Sequence, residues 1–112
     1  MVHVSEETAP TFTTKPIIRN GIDENKLIFE CQLFSNPKPE IKWFKDERLV
    51  KEDNRTRVIL KEFEPNKFIV GLEISDVIES DVSNYKITAK NKQGEAVVEI
   101  NAQQTNPQQF PL

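Results

Sequence analysis

Apolar residues recur at every second position through most of this chain, and no window sustains an apolar stripe at the spacing of a helix. Side chains on a strand point alternately to two faces, so the pattern predicts an all-β protein whose strands each bury one face. Leu27, Phe29, Cys31 and Leu33 form the first clear apolar row, alternating with the mixed row Ile28, Glu30, Gln32 and Phe34. Asn36-Pro37-Lys38-Pro39 ends that strand, because two prolines fix φ and remove two backbone donors. Residues 40–45 make the next strand, turning Ile41 and Trp43 inward, and residues 46–50 a short edge segment. A polar turn at 51–54 leads to a strand over 56–63, and Glu64-Pro65-Asn66 reads as a hairpin loop. Phe68, Val70, Leu72 and Ile74 repeat the alternation, residues 75–83 cross one end as an acidic connection, and Tyr85, Ile87 and Ala89 point inward again. Asn91-Lys92-Gln93-Gly94 predicts a tight turn with its glycine at positive φ, after which Ala96, Val98 and Ile100 complete the core.

Ala9-Pro10-Thr11-Phe12-Thr13-Thr14-Lys15-Pro16 has strand composition broken by prolines, which suits an edge paired on one side only. Residues 1–8 and the Pro/Gln-rich residues 103–112 lack any period and read as tail and linker, leaving one domain over 9–102. Counted together, seven to nine strands are expected, at the spacing of a two-sheet sandwich.

Composition narrows the function. A chain of 112 residues is enough for one core, and a net charge of -3 offers no extended cationic surface, so neither nucleic acid nor an anionic membrane is an expected partner. Residues 1–8 carry neither the basic start nor the apolar run of a signal peptide, and one cysteine cannot form an internal disulfide. The expectation is a cytoplasmic protein.

Candidate chemistry is sparse. Cys31 alternates with Phe29 and Leu33 and has no histidine near it in sequence, which favours a buried inert thiol over a nucleophile. His3, the one histidine, cannot complete a dyad or a zinc site alone. Asp76, Glu79 and Asp81 lack the spacing of a calcium loop, and Gly21, Gly71 and Gly94 are too scattered to cradle a phosphate. Asn54-Arg55-Thr56 matches a glycosylation acceptor, a pattern common by chance. No catalytic residue, cofactor or metal is expected. Phe34 and Phe44 fall on outward positions and, with Lys92 and Gln93 of the turn, are the candidate interface residues.

Pro10-Thr11-Phe12, Cys31, Pro37 and Pro39, Trp43-Phe44-Lys45-Asp46, Leu72-Glu73-Ile74, Asp81 with Tyr85, and Asn91-Lys92-Gln93-Gly94-Glu95-Ala96 follow one another in an order that closely resembles the intermediate-set immunoglobulin domains. Among these the chain is most similar to the modules of the giant muscle protein family of titin, twitchin, obscurin and myosin-binding protein C, over residues 9–102. The resemblance implies a Greek-key sandwich in which Ile87 holds the place of the usual second cysteine, so that no disulfide forms. It further implies that Trp43 lies between the sheets against Cys31 and Ile87, with Leu72 in the same core. Tyr85 would bond a carbonyl just upstream, and Asp81 would accept from Arg55 or Arg57. Val82-Ser83 departs from the family's usual glycine or alanine beside the tyrosine. The function implied is a non-catalytic, monomeric scaffold module of the sarcomere. Its partners would be neighbouring immunoglobulin and fibronectin modules and filament proteins, with load carried by hydrogen bonds between its terminal strands. The alternative from another class is a cell-surface adhesion or receptor domain.

Overall fold

Strand β3 (Lys26–Asn36) is the spine of the fold, with inward side chains buried and outward ones half-buried along its whole length. The computed structural model describes residues 6–21 and 25–102, so the expectations for residues 1–5 and 103–112, and for His3, lie outside the described residues. Around β3 stand β1 (Thr8–Phe12), β2 (Ile17–Gly21), β4 (Glu40–Lys45), β5 (Arg48–Leu49), β6 (Thr56–Glu64), β7 (Lys67–Ser75), β8 (Asn84–Asn91) and β9 (Gly94–Asn101). One sheet runs β1-β3-β7-β6, with β2 also on β3, and the other runs β5-β4-β8-β9. Every pairing is antiparallel. The chain changes sheet after β3, β5 and β7, which makes a Greek-key sandwich, and Cys31 is a free buried thiol.

The core is the set of inward rows facing one another. Leu27, Phe29, Cys31 and Leu33 of β3 and Phe68, Val70, Leu72 and Ile74 of β7 come from one sheet, and Trp43, Tyr85, Ile87 and Ala89 from the other. Phe29 links them: its ring centroid lies 6.1 Å from that of Trp43 and 4.4 Å from that of Tyr85, both tilted.

Four expectations need correction. First, the edge does not stop at Pro16. A second strand, β2, continues down β3, with Thr14 Oγ1 accepting from the Gln32 N–H at 2.9 Å across the gap between the two. Second, β1 and β9 belong to different sheets, and although they lie close together no ladder joins them among the described residues. Thr8 sits opposite Asn36 and Asn101 opposite Asn84, which puts the two ends of the fold at opposite poles. A pull on the ends therefore shears β1 against β3 and β9 against β8. Third, Gly94 takes the expected positive φ, 159°, but stands just past the two-residue turn as the first residue of β9. Its lack of a side chain serves packing, since an added Cβ would come within 3.1 Å of the Ala9 Cβ. Fourth, Ala96, Val98 and Ile100 are half-buried, because β9 pairs with a strand on one side only.

Candidate functional site

A polar hub closes the pole where the β7–β8 connection crosses the sandwich. A short 3-10 turn (Glu79–Asp81) buries Asp81 to 4 % exposure, and a carboxylate taken that far from water requires partners. It has them. Oδ2 accepts from the Ile78 N–H at 2.9 Å and from Arg55 Nη1 at 3.2 Å, and Lys45 Nζ lies 3.5 Å from Oδ1. The same Arg55 nitrogen donates to the carbonyls of Ser75 and Asp76, while the Tyr85 hydroxyl donates to the Asp81 carbonyl at 2.6 Å. Of the two arginines left open above, the partner is Arg55; Arg57 reaches Glu73 at 3.5 Å. This arrangement pins four chain segments to one another.

Burial by itself would raise the Asp81 carboxyl, but the Ile78 N–H together with Arg55 and Lys45 holds it below its ordinary value. A depressed carboxylate contributes stability that is present above its unfolded pKa and is lost as pH falls through its folded one. Asp81→Asn should therefore lower neutral-pH stability by about 1 to 2 kcal/mol, the lower part of the range for a buried charge losing its partner because Arg55 stays partly solvated. It should also flatten the decline of stability below about pH 4, where an ordinary aspartate titrates. Urea melts from pH 7 to pH 3 check both; an unchanged acid limb would remove Asp81 from its cause.

At the opposite pole Asn91 Nδ2 donates to the carbonyls of Thr8 and Pro37 and to Ser35 Oγ, fastening the start of β1 to the corner after β3. Lys92 and Gln93 reach Glu7, ahead of β1. The candidate interface residues are thus separated. Phe34 lies on the outer face of the β3 sheet and Phe44 on the outer face of the β4 sheet, so the two phenylalanines do not share a sticky face. Both are half-buried, and Phe44 carries Lys86 Nζ 5.0 Å from its ring centroid. Alternation marked both as outward; which outer face each strand presents depends on sheet order, which alternation does not carry.

Burial, with a smaller contribution from Glu30, pushes the Cys31 thiol up to about 12, leaving almost no thiolate at neutral pH. Tyr85 is pushed up as well, by burial and then by Asp81 and Asp46. Trp43 Nε1 is buried without a hydrogen-bond partner among the described residues. Among these residues no group of three or more His, Cys, Asp or Glu side chains is placed to hold a metal ion. A depression of about 590 Å³ between Phe44, Lys86, Glu99 and the Asp46-Glu47 turn is open and mostly polar.

The sequence profile of the Immunoglobulin I-set domain matches residues 10–103. Titin of Drosophila melanogaster is 31% identical over 101 residues, 89% of this chain and 1% of its own length. The smooth muscle myosin light chain kinase of Gallus gallus is 32% identical over 92 residues, 82% of this chain and 5% of its own length. The chain therefore spans a small fraction of these relatives. Among solved structures, titin M4 superposes with a TM-score of 0.71 at 19% identity, covering 87% of this chain and 96% of that one. A Dpr2 complex with DIP-Theta superposes at 0.70 and 23% identity, covering 85% of this chain and 32% of that one. Likeness at these identities concerns the fold alone.

Proposed function

The chain belongs to the immunoglobulin I-set domain family, and from that premise we propose that it is a non-catalytic structural module of an intracellular muscle protein, tethering or spacing filament proteins through protein contacts. The observation that carries the reading is a core complete without a cross-link. Cys31 and Ile87, inward on opposite sheets, are 2% and 0% exposed, and Cys31 is unpaired. Such a domain keeps its stability in a reducing compartment, where a disulfide would not persist. Relatives at 31% and 32% identity are muscle proteins, which supports a sarcomeric setting. The folded unit is residues 9–102, acting as a monomer between neighbouring immunoglobulin or fibronectin modules. Its two ends, at opposite poles, suit transmission of load along the strands.

A cell-surface adhesion domain is the second reading, prompted by the likeness to Dpr2, but that likeness extends to fold only. A fluorescent tag on the endogenous protein separates the two. Regular transverse bands along myofibrils are expected; labelling of unpermeabilised cells at their surface would contradict the proposal.

A further inference from the structure

The sheet built on β3 and β7 is apolar on both sides. An antiparallel sheet with one face in water alternates apolar with polar residues, but β2 reads Ile17-Ile18, β3 Leu27-Ile28-Phe29, β6 Val58-Ile59-Leu60 and β7 Phe68-Ile69-Val70. Each run puts one isoleucine on the outer face. Ile17 is 50 % exposed there, and Ile28, Ile59 and Ile69 are half-buried, as is Phe34. The other sheet has no counterpart, since the outer rows of β4, β8 and β9 are polar apart from Phe44 and Val97. An apolar patch confined to one face of a domain marks an interaction surface.

Register sets three of these side chains in line. Ile59 of β6 stands opposite Gly71, Ile69 is one outward position further along β7, and Phe34 is one further again, on β3 opposite Lys67. With strands about 4.8 Å apart and a rise of about 3.3 Å per residue, this diagonal is about 16 Å long, or about three turns of an α-helix. Its two flanks differ. Gly71 and Gln32 lie on one side, low and uncharged, and Lys61 and Lys67 on the other.

Charge and backbone together choose the occupant. Glu30, Glu73 and Glu64 on this face are engaged by Arg19 at 3.2 Å, Arg57 at 3.5 Å and Lys67 at 3.0 Å. Lys26 shares Glu73 with Arg57, and Lys61 has no ion pair among the described residues. The face is therefore net positive on a chain of net charge -3. A second copy of this chain would lay one positive face on another. β3 and β7 are paired on both sides, so the face offers side chains only, and whatever covers it must satisfy its own backbone. A lone extended segment cannot do that; a helix does.

We infer that the diagonal of Ile59, Ile69 and Phe34 is a docking site for an amphipathic helix of another protein, with one apolar stripe and acidic side chains along the flank that meets Lys61 and Lys67. The stripe supplies affinity. The lysines, all on one flank, fix the direction of the helix, because reversing it would turn its acids toward Gly71 and Gln32. The site goes beyond the structural-module reading and stands apart from it, since its failure would leave the uncross-linked core and the muscle relatives untouched.

The test is a titration of the isotope-labelled full chain with the helix acetyl-Ser-Gln-Ala-Leu-Glu-Gln-Ala-Leu-Glu-Ala-Leu-Glu-Gln-Ala-Leu-Glu-Gln-Ala-amide, whose leucines form one stripe with the glutamates along one side of it. Amide shifts are expected at Gln32, Phe34, Ile59, Lys61 and Ile69, and not on β4, β8 or β9. Binding should weaken about tenfold when the peptide's glutamates are replaced by glutamines, and at least as much in the Lys61→Glu/Lys67→Glu domain, whose substitutions lie in solvent and leave the core alone. Ile59→Thr/Ile69→Thr keeps β-branched residues in both strands and should also weaken binding about tenfold, through lost apolar contact. Shifts on the outer face of β4, β8 and β9, an affinity indifferent to the lysines, or no binding at millimolar peptide would each overturn the inference. So would dimerisation of the free chain through these residues in sedimentation, which would give the face to a second copy, or their capture of phosphatidylserine vesicles in preference to the peptide, which would give it to a membrane.

Discussion

Trp43→Ala should cost about 3 to 5 kcal/mol, the range for emptying a large aromatic from a packed core. Trp43 is 2% exposed, packs beside Phe29 and stands on β4 directly opposite Ile87 in the ladder, so its removal leaves a void that rigid strands on both sides cannot close. Against a total stability of about 5 to 10 kcal/mol for a domain of this kind, much of the variant would be unfolded at body temperature. Phe44→Ala, one residue on, is the internal control. Its ring is half-buried on the outer face beneath Lys86, and its loss should cost about 1 kcal/mol. Urea melts of the two variants measure the difference; equal losses would mean that the strand presents both side chains to the core.

Ile87→Cys should act in the opposite direction. Cys31 and Ile87 are buried inward residues of the two facing sheets, and a cysteine at 87 restores the cross-link that the immunoglobulin sandwich otherwise uses. The bridge would close a loop of about 56 residues, worth about 4 kcal/mol on chain entropy, less the strain of replacing a branched side chain. With the Cys31 thiol raised to about 12, the folded protein oxidises poorly, so the bond should be formed by refolding in a glutathione buffer, while the thiols are exposed. The oxidised variant should then melt at higher denaturant than its reduced form. A folded variant whose thiols stay free after oxidative refolding would show that the two positions do not face each other.

Most of the fold was legible because burial imposes a period of two, and Leu27 through Leu33 or Phe68 through Ile74 leave no other register. The features that escaped depend on partners distant in sequence. Ile17 to Gly21 is too short and too mixed to announce a strand; it forms because β3, eleven residues long, has edge to spare below β1. Gly94 was legible as a positive-φ residue, yet a second constraint on it comes from Ala9, on the other sheet. Choosing Arg55 over Arg57 required knowing which one lies level with Ser75 and the crossing connection, a matter of register between β6 and β7. Phe34 and Phe44 share an outward label and ten residues of separation, but the chain changes sheet between them at Asn36-Pro37, so one label conceals two faces.

The proposed function requires that this domain bear load along its strands without a covalent cross-link. Its most direct test is a single-molecule pull on the domain held between well-characterised handles at its two ends, in reducing buffer. β1 sheared against β3 and latched by Asn91, with β9 sheared against β8, should yield together in one main unfolding event, because several ladder bonds in shear must break at once. The result should be unchanged by dithiothreitol, since Cys31 is unpaired. Gradual extension at negligible force, strand by strand, would contradict it.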